Sequence, residues 1–149
     1  MFDRILVVCT GNICRSPLAM AMLKQRLPEK QIESAGIGAL VDKGADDSIM
    51  ELAASNGLDL SEHKARQLNH LMLQKADLIL VMTEDQRQAV SEKLPEATGK
   101  TMLFGQWLQN RESGKQGMDI PDPYRKSREA FDYVYELLSE AANTWQSRL

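Results

Sequence analysis

Short apolar runs alternate with helical patterns along this chain. Residues 5–9 (Ile-Leu-Val-Val-Cys) are continuously apolar, as expected for a strand buried on both faces. Ser16-Pro17 predicts a helix start, with serine at the N-cap and proline at the first helical position. That helix runs to about Leu27, where Pro28 stops it. Residues 32–35 form a short strand candidate. A helix over 48–56 is closed by Gly57, and 77–82 is a second apolar strand. Thr83-Glu84-Asp85-Gln86 fits a capping box and opens a helix to about Leu94. Residues 101–104 predict a further strand.

Residues 105–126 read as a long loop punctuated by Gly105, Gly114, Gly117, Pro121 and Pro123. Loops of this length in compact domains are uncommon and often functional. Beyond a Ser127 cap, Ala130, Phe131, Val134, Leu137, Leu138, Ala141 and Trp145 recur at helical spacing. Strand–helix alternation of this kind predicts an α/β domain with a parallel sheet. Such sheets bind ligands beyond the carboxyl ends of their strands, and the first strand ends at Cys9.

Composition narrows the class. With 149 residues, 43% hydrophobic and 26% charged, the chain is expected to be one globular domain, 1–149, with a core that needs no staples. Two cysteines are too few for a disulfide framework, so reduced thiols and a cytoplasmic location are expected. The apolar run after Met1-Phe2-Asp3-Arg4 is too short for a signal-peptide core, and no stretch approaches the roughly 18 apolar residues of a membrane span. A net charge of −3 with scattered lysines and arginines argues against nucleic acid as a partner.

The chemistry concentrates in Cys9-Thr10-Gly11-Asn12-Ile13-Cys14-Arg15-Ser16-Pro17. A cysteine with an arginine six residues later is weak by itself, arising by chance in roughly one such sequence in eight. Its setting between a strand and a helix start gives it weight, as does a Gly-Asn pair able to take positive φ. A loop curling into a helix N-terminus turns backbone N–H groups inward and makes an anion nest. Arg15 adds a bidentate grip on phosphate oxygens, and those dipoles favour a thiolate at Cys9. Ser16 is near enough to donate to that thiolate. Nucleophile, oxyanion cradle and cation thus fall within one short segment, as in-line attack on phosphorus requires. Against this stands the bland reading of Cys9 as a buried strand-end thiol. Cys14 reads equally as a packing residue or as a partner for a reversible disulfide with Cys9.

Cleaving a phosphate ester also needs a proton for the leaving oxygen. Ile120-Pro121-Asp122-Pro123-Tyr124 presents Asp122 between two prolines that restrict its backbone, with Tyr124 able to wall a pocket. Asp119 is an alternative acid on a looser, glycine-rich approach. His63 and His70 read from composition as ordinary loop histidines.

Together these segments resemble the low-molecular-weight protein tyrosine phosphatases over almost the whole chain. The Cys9–Pro17 loop, Ser34-Ala35-Gly36, His63-Lys64-Ala65-Arg66-Gln67 and Asp122-Pro123-Tyr124 stand in that family's order and spacing. The resemblance implies a four-stranded parallel sheet with helices on both faces, a phosphate-binding loop after the first strand, and no metal or other cofactor. It implies that Cys9 attacks phosphorus to give a cysteinyl-phosphate and that Arg15 binds the phosphoryl oxygens. Asp122 would act first as acid and then as base. Thr10, Gly11, Asn12, Ile13 and Cys14 would line or shape the loop. Asn12 would hold its strained turn, with Ser34 as partner. Ser16 would steady the thiolate, itself oriented by His63. Leu40 and Tyr124 would wall the substrate pocket.

The chain departs from many members in following Tyr124 with Arg125 and in placing Leu40 where others carry an aromatic residue. Residues 99–105 and 120–127 look like the bacterial subgroup encoded with capsule or exopolysaccharide genes. That likeness implies a phosphotyrosine protein as partner, the tyrosine-rich tail of a membrane autokinase. Three rival readings share the loop. An arsenate reductase needs cysteines beyond Cys14, and none follows. A phosphoarginine phosphatase carries threonine at the position of Ile13. A non-catalytic phosphate-binding module would lack the nucleophile or the acid.

Overall fold

The structure, a computed structural model, describes residues 2–149. Four strands make one sheet: β1 (Arg4–Cys9), β2 (Gln31–Gly36), β3 (Leu78–Val81) and β4 (Thr101–Leu103). Their order is β2-β1-β3-β4, with every pairing parallel. The helices are α1 (Arg15–Arg26), α2 (Asp47–Ser55), α3 (His70–Lys75), α4 (Glu84–Lys93) and α5 (Arg128–Gln146).

Strand alternation splits the core into two layers. Ile5, Val7 and Cys9 of β1 point to one face, where they meet Leu18 and Met22 of α1, Ile49 of α2 and Leu138 of α5. Leu6 and Val8 point to the other, with Leu73 of α3 and Val90 of α4. Covering both faces explains the unbroken apolar run of residues 5–9 in β1, all of which are buried. Cys9 and Gly36 are paired at the carboxyl ends of β1 and the edge strand β2. A Cβ on Gly36 would lie 2.6 Å from the Thr10 carbonyl oxygen. Glycine is therefore what lets β2 end against the loop after β1.

One predicted helix start is corrected. Helix α1 begins at Arg15 with Cys14 at the N-cap, so Ser16 and Pro17 lie inside its first turn. Proline is tolerated there because first-turn N–H groups have no intrahelical partner. The Ser16 hydroxyl faces Cys9 and Asn12 instead of capping. Helix α2, expected from about Ser48, starts at Asp47 and is capped by Asp46, which accepts from Ser48 N at 2.9 Å. The capping box at Thr83/Gln86 and the Ser127 cap are both present.

Helix α3 and a 3-10 turn over Pro95–Lys100 had no predicted counterpart. Each has six residues, too few for a helical period to declare itself. The segment 105–126 is a loop, as expected, but a tethered one. Gly117 N donates to Leu108 O, Met118 N to Gly105 O, and Ile120 N to Met82 O. The last of these ties the loop to the end of β3. Among the described residues no helix is long and apolar enough to cross a membrane.

Candidate active site

Between β1 and α1 the chain turns through residues 10–14. Asn12 takes the turn with φ 59°, a left-handed conformation that asparagine tolerates. Every carbonyl from Cys9 to Ile13 is engaged from outside the turn. Ile37 N donates to Cys9 O, Gly38 N to Thr10 O, Leu40 N to Gly11 O and Asp46 N to Ile13 O. The Asn12 carbonyl meets His63 Nε2 at 2.7 Å. In a trans peptide the N–H points opposite to the C=O. Five outward carbonyls therefore aim the N–H groups of residues 10–14 inward, above the N-terminus of α1. This is an anion cradle built by strand ends and loops that are remote in sequence.

Cys9 Sγ lies within this cradle, 2.9 Å from Ser16 Oγ and 3.3 Å from Asn12 N, which donates to it. Asn12 fixes the arrangement behind the loop. Its Nδ2 donates to Ser16 Oγ at 2.7 Å and to Ser34 Oγ at 3.0 Å, and its Oδ1 accepts from Arg66 N at 2.9 Å. Because a backbone N–H can only donate, this last contact sets which end of the amide is oxygen. The hydroxyl of Ser16, already accepting from Asn12, is left to donate toward sulfur.

Arg15 is buried, and its guanidinium spans the cradle and the loop that carries Asp122. One Nη donates to Ile120 O at 2.9 Å, and the other lies 3.7 Å from Asp122 Oδ2. Its Nε is buried and has no partner among the described residues. A buried, unmatched donor beside inward N–H groups is the signature of a site that takes an anion. Asp122 is half-exposed, and its Oδ1 accepts from Tyr124 N at 3.0 Å.

Cys9, Thr10, Gly11, Ile13, Cys14, Arg15, Leu40, Asp122 and Tyr124 line one cavity of about 110 Å³. Asn12, Ser16, Ser34 and His63 sit behind it. Asp119 lies outside that cavity and accepts from Glu84 N at the start of α4. Cys14 is a free, buried thiol pushed up by burial first, then by the charges of Asp46 and Asp122. Arg125, at φ 59°, lays its guanidinium 5.1 Å from the centroid of the Tyr124 ring.

His63 requires a correction. It was expected to orient Ser16, but its Nε2 holds the Asn12 carbonyl instead, and Ser16 is oriented by the Asn12 side chain. Two further supports of the loop were not assigned that role from the sequence. Arg66 pins Asn12 through its backbone. Gln86, buried at the start of α4, donates to Thr10 Oγ1 at 3.1 Å while its Oε1 accepts from Met82 N and Thr83 N. Gln86 was visible only as the capping-box partner.

His63 also supplies a pH dependence. A carbonyl acceptor requires Nε2 to carry the hydrogen. Burial lowers the imidazole pKa below its ordinary value; the Asn12 carbonyl opposes this, and the charges of Arg66 and Lys24 add to the lowering. As pH falls, the unfolded chain therefore takes up this proton first. Stability from this group is full above the unfolded imidazole's value of about 6.5 and is lost as pH falls from there through the lower folded pKa. The glutamine variant His63→Gln, which keeps a donor for Asn12, is expected to flatten the fall in Tm between about pH 7.5 and 5.5. Melting curves that stay as steep as the parent's would remove His63 from that role.

The match to known proteins runs the length of the chain. The family model described as low molecular weight phosphotyrosine protein phosphatase matches residues 4–149. The low molecular weight protein-tyrosine-phosphatase Wzb of Escherichia coli K12 is 48% identical over 149 residues, covering 100% of this chain and 97% of that one. The crystal structure of the tyrosine phosphatase Wzb from Escherichia coli K30 in complex with sulphate is similar with a TM-score of 0.92 and 49% identity, covering 99% of each chain. The YwlE arginine phosphatase from Geobacillus stearothermophilus shares the fold with a TM-score of 0.86 at 32% identity, covering 97% of this chain and 91% of its own. With a cysteine-centred anion cradle and end-to-end likeness to such enzymes, the chain belongs to the low-molecular-weight phosphotyrosine protein phosphatases.

Proposed function

We propose that this phosphatase cleaves protein phosphotyrosine through a cysteinyl-phosphate intermediate. The observation that carries the reading is a sulfur surrounded by donors inside a ring of outward-facing carbonyls. Such surroundings stabilise a thiolate and the phosphoryl oxygens together. Cys9 Sγ attacks phosphorus in line, and the S–P bond forms as the bond to the phenolic oxygen breaks. Asp122 gives its proton to that oxygen, so tyrosine leaves neutral. Arg15 Nε and the inward N–H groups hold the three equatorial oxygens. Water then attacks phosphorus, Asp122 takes a proton from it, and the S–P bond breaks to return the thiolate and inorganic phosphate.

Leu40, Ile13 and Tyr124 give the cavity apolar walls suited to an aromatic ring. Isoleucine at position 13, where phosphoarginine phosphatases carry threonine, favours the aryl ester. The physiological substrate under this reading is the phosphorylated, tyrosine-rich tail of a membrane autokinase, met in the cytoplasm by a single-domain enzyme. Support for that partner comes from likeness to the Wzb phosphatases and to their polysaccharide-associated subgroup.

The test compares phosphotyrosine, phosphoserine and phosphoarginine substrates side by side. Phosphotyrosine peptide is expected to be cleaved with kcat/KM roughly 100-fold or more above the others. Comparable rates on phosphoarginine would overturn the aryl reading while leaving the family assignment intact.

A further inference from the structure

Behind the catalytic loop lies a second, outward-facing cleft of about 130 Å³. Its floor includes Met20, Ile32 and Ser34, and its rim carries Lys24, His63, Lys64 and Arg66. Glu33 is the only carboxylate lining it, and it pairs with Arg66 at 3.4 Å. Neither Lys24 nor Lys64 has an acidic partner among the described residues. Three permanent cations against one carboxylate leave an excess of positive charge around a concavity slightly larger than the catalytic cavity. In a protein with a net charge of −3, that excess is local.

This cleft shares its residues with the scaffold of the catalytic loop. His63 holds the Asn12 carbonyl, and Arg66 holds the Asn12 side chain through its backbone N–H. Ser34, on the cleft floor, accepts from Asn12 Nδ2. All three outside supports of Asn12, the residue that carries the left-handed turn, therefore line one basic cleft.

We propose that this cleft is a second anion site, for a phosphate-sized dianion of the class of inorganic phosphate or a phosphate monoester. Its occupancy is coupled to the catalytic loop through His63. An anion beside the imidazole favours its protonated form, and a charged donor binds the Asn12 carbonyl more strongly than a neutral one. The positive neighbours that disfavour a proton on His63, Arg66 and Lys24, are groups an anion in the cleft would neutralise. Inorganic phosphate is also the product of the proposed reaction, so the site would sense its accumulation.

The experiment titrates His63 by NMR in protein whose catalytic loop is saturated with vanadate, with and without inorganic phosphate, using His70 as internal control. Phosphate is expected to raise the His63 midpoint saturably, by about half a unit or more, with His70 unmoved. The Lys24→Ala/Lys64→Ala double variant should lose that response while keeping its aryl phosphatase rate. A His63 midpoint indifferent to phosphate in the vanadate-loaded parent would overturn the proposal. So would an equal response in the double variant. Failure of vanadate to bind at all would count against the proposed catalytic chemistry rather than against this cleft.

Discussion

Replacing Cys9 by serine is expected to abolish turnover while leaving the fold and the anion cradle in place. The side chain is 2% exposed and ends in an atom approached by Ser16 Oγ at 2.9 Å and Asn12 N at 3.3 Å. Both are arranged as donors, because Asn12 Nδ2 already supplies a hydrogen to the Ser16 hydroxyl. A donor-rich pocket suits a sulfur anion. It gives a serine hydroxyl no base to take its proton, and an unactivated hydroxyl is a poor nucleophile. The loss in kcat should reach roughly 10⁴-fold or more, the scale seen when a covalent nucleophile is removed. The swap is nearly isosteric, so Tm should move by only a few degrees. Phosphate binding, which depends on the N–H groups and Arg15, should survive. Steady-state rates on an aryl phosphate, together with phosphate binding by calorimetry, check both halves. More than about 1% residual activity in Cys9→Ser would be incompatible with covalent catalysis at this sulfur.

The parts of this site that were legible in the sequence are the contiguous ones. Cys9, Asn12, Arg15 and Ser16 fall on one strand–loop–helix segment, and the turn residues declared its shape. The caps at Thr83/Gln86 and Ser127 were legible because a cap is a contact across three residues. What holds the loop was not legible from local pattern, because its contacts span the chain. Arg66 N reaches Asn12 across 54 residues, Gln86 reaches Thr10 across 76, and Arg15 reaches Ile120 O across 105. Local pattern carries no information on such pairs until strand order places them together. The order β2-β1-β3-β4 sets the loops after β2 and β3 on either side of Cys9.

The misplaced helix start has a related cause. Ser16-Pro17 has the residue types of an N-cap and first turn, and local propensity cannot see that the serine hydroxyl is taken by a sulfur and an asparagine. His63 shows the same limit in reverse. Its motif marked it as a support of the loop, but only the geometry separates a bond to Ser16 from a bond to the Asn12 carbonyl. The loop architecture is thus set by outside donors to five successive carbonyls, four of which are backbone N–H groups that no side-chain pattern encodes.

Asp122→Ala is expected to divide substrates by their leaving groups. The carboxylate stands on a loop anchored twice at Ile120, whose N–H donates to Met82 O and whose carbonyl accepts from Arg15. Its own Oδ1 is held by Tyr124 N, and Oδ2 lies 3.7 Å from the Arg15 guanidinium, which places this carboxylate on the same cavity as Cys9. A tyrosine phenolate has a pKa of about 10 and leaves poorly without a proton, whereas a nitrophenolate leaves readily without one. Removing the acid should therefore slow phosphorylation of Cys9 by phosphotyrosine peptide roughly 10²- to 10³-fold, and by a nitrophenyl ester far less. The second step also loses its base, so the nitrophenyl ester should show a burst of one equivalent followed by slow hydrolysis of the trapped cysteinyl-phosphate. Stopped-flow release of nitrophenolate measures burst and steady state in one trace. The isosteric Asp122→Asn variant keeps an acceptor for Tyr124 N and should behave like the alanine variant, which separates proton transfer from loop collapse. Asp119, committed to Glu84 N outside the cavity, should tolerate alanine with little change on either substrate. Equal losses on both esters, with no burst, would mean that Asp122 positions the loop and that the proton comes from elsewhere. Only a carboxyl group that moves the proton in both steps produces a split by leaving group together with an intermediate that accumulates.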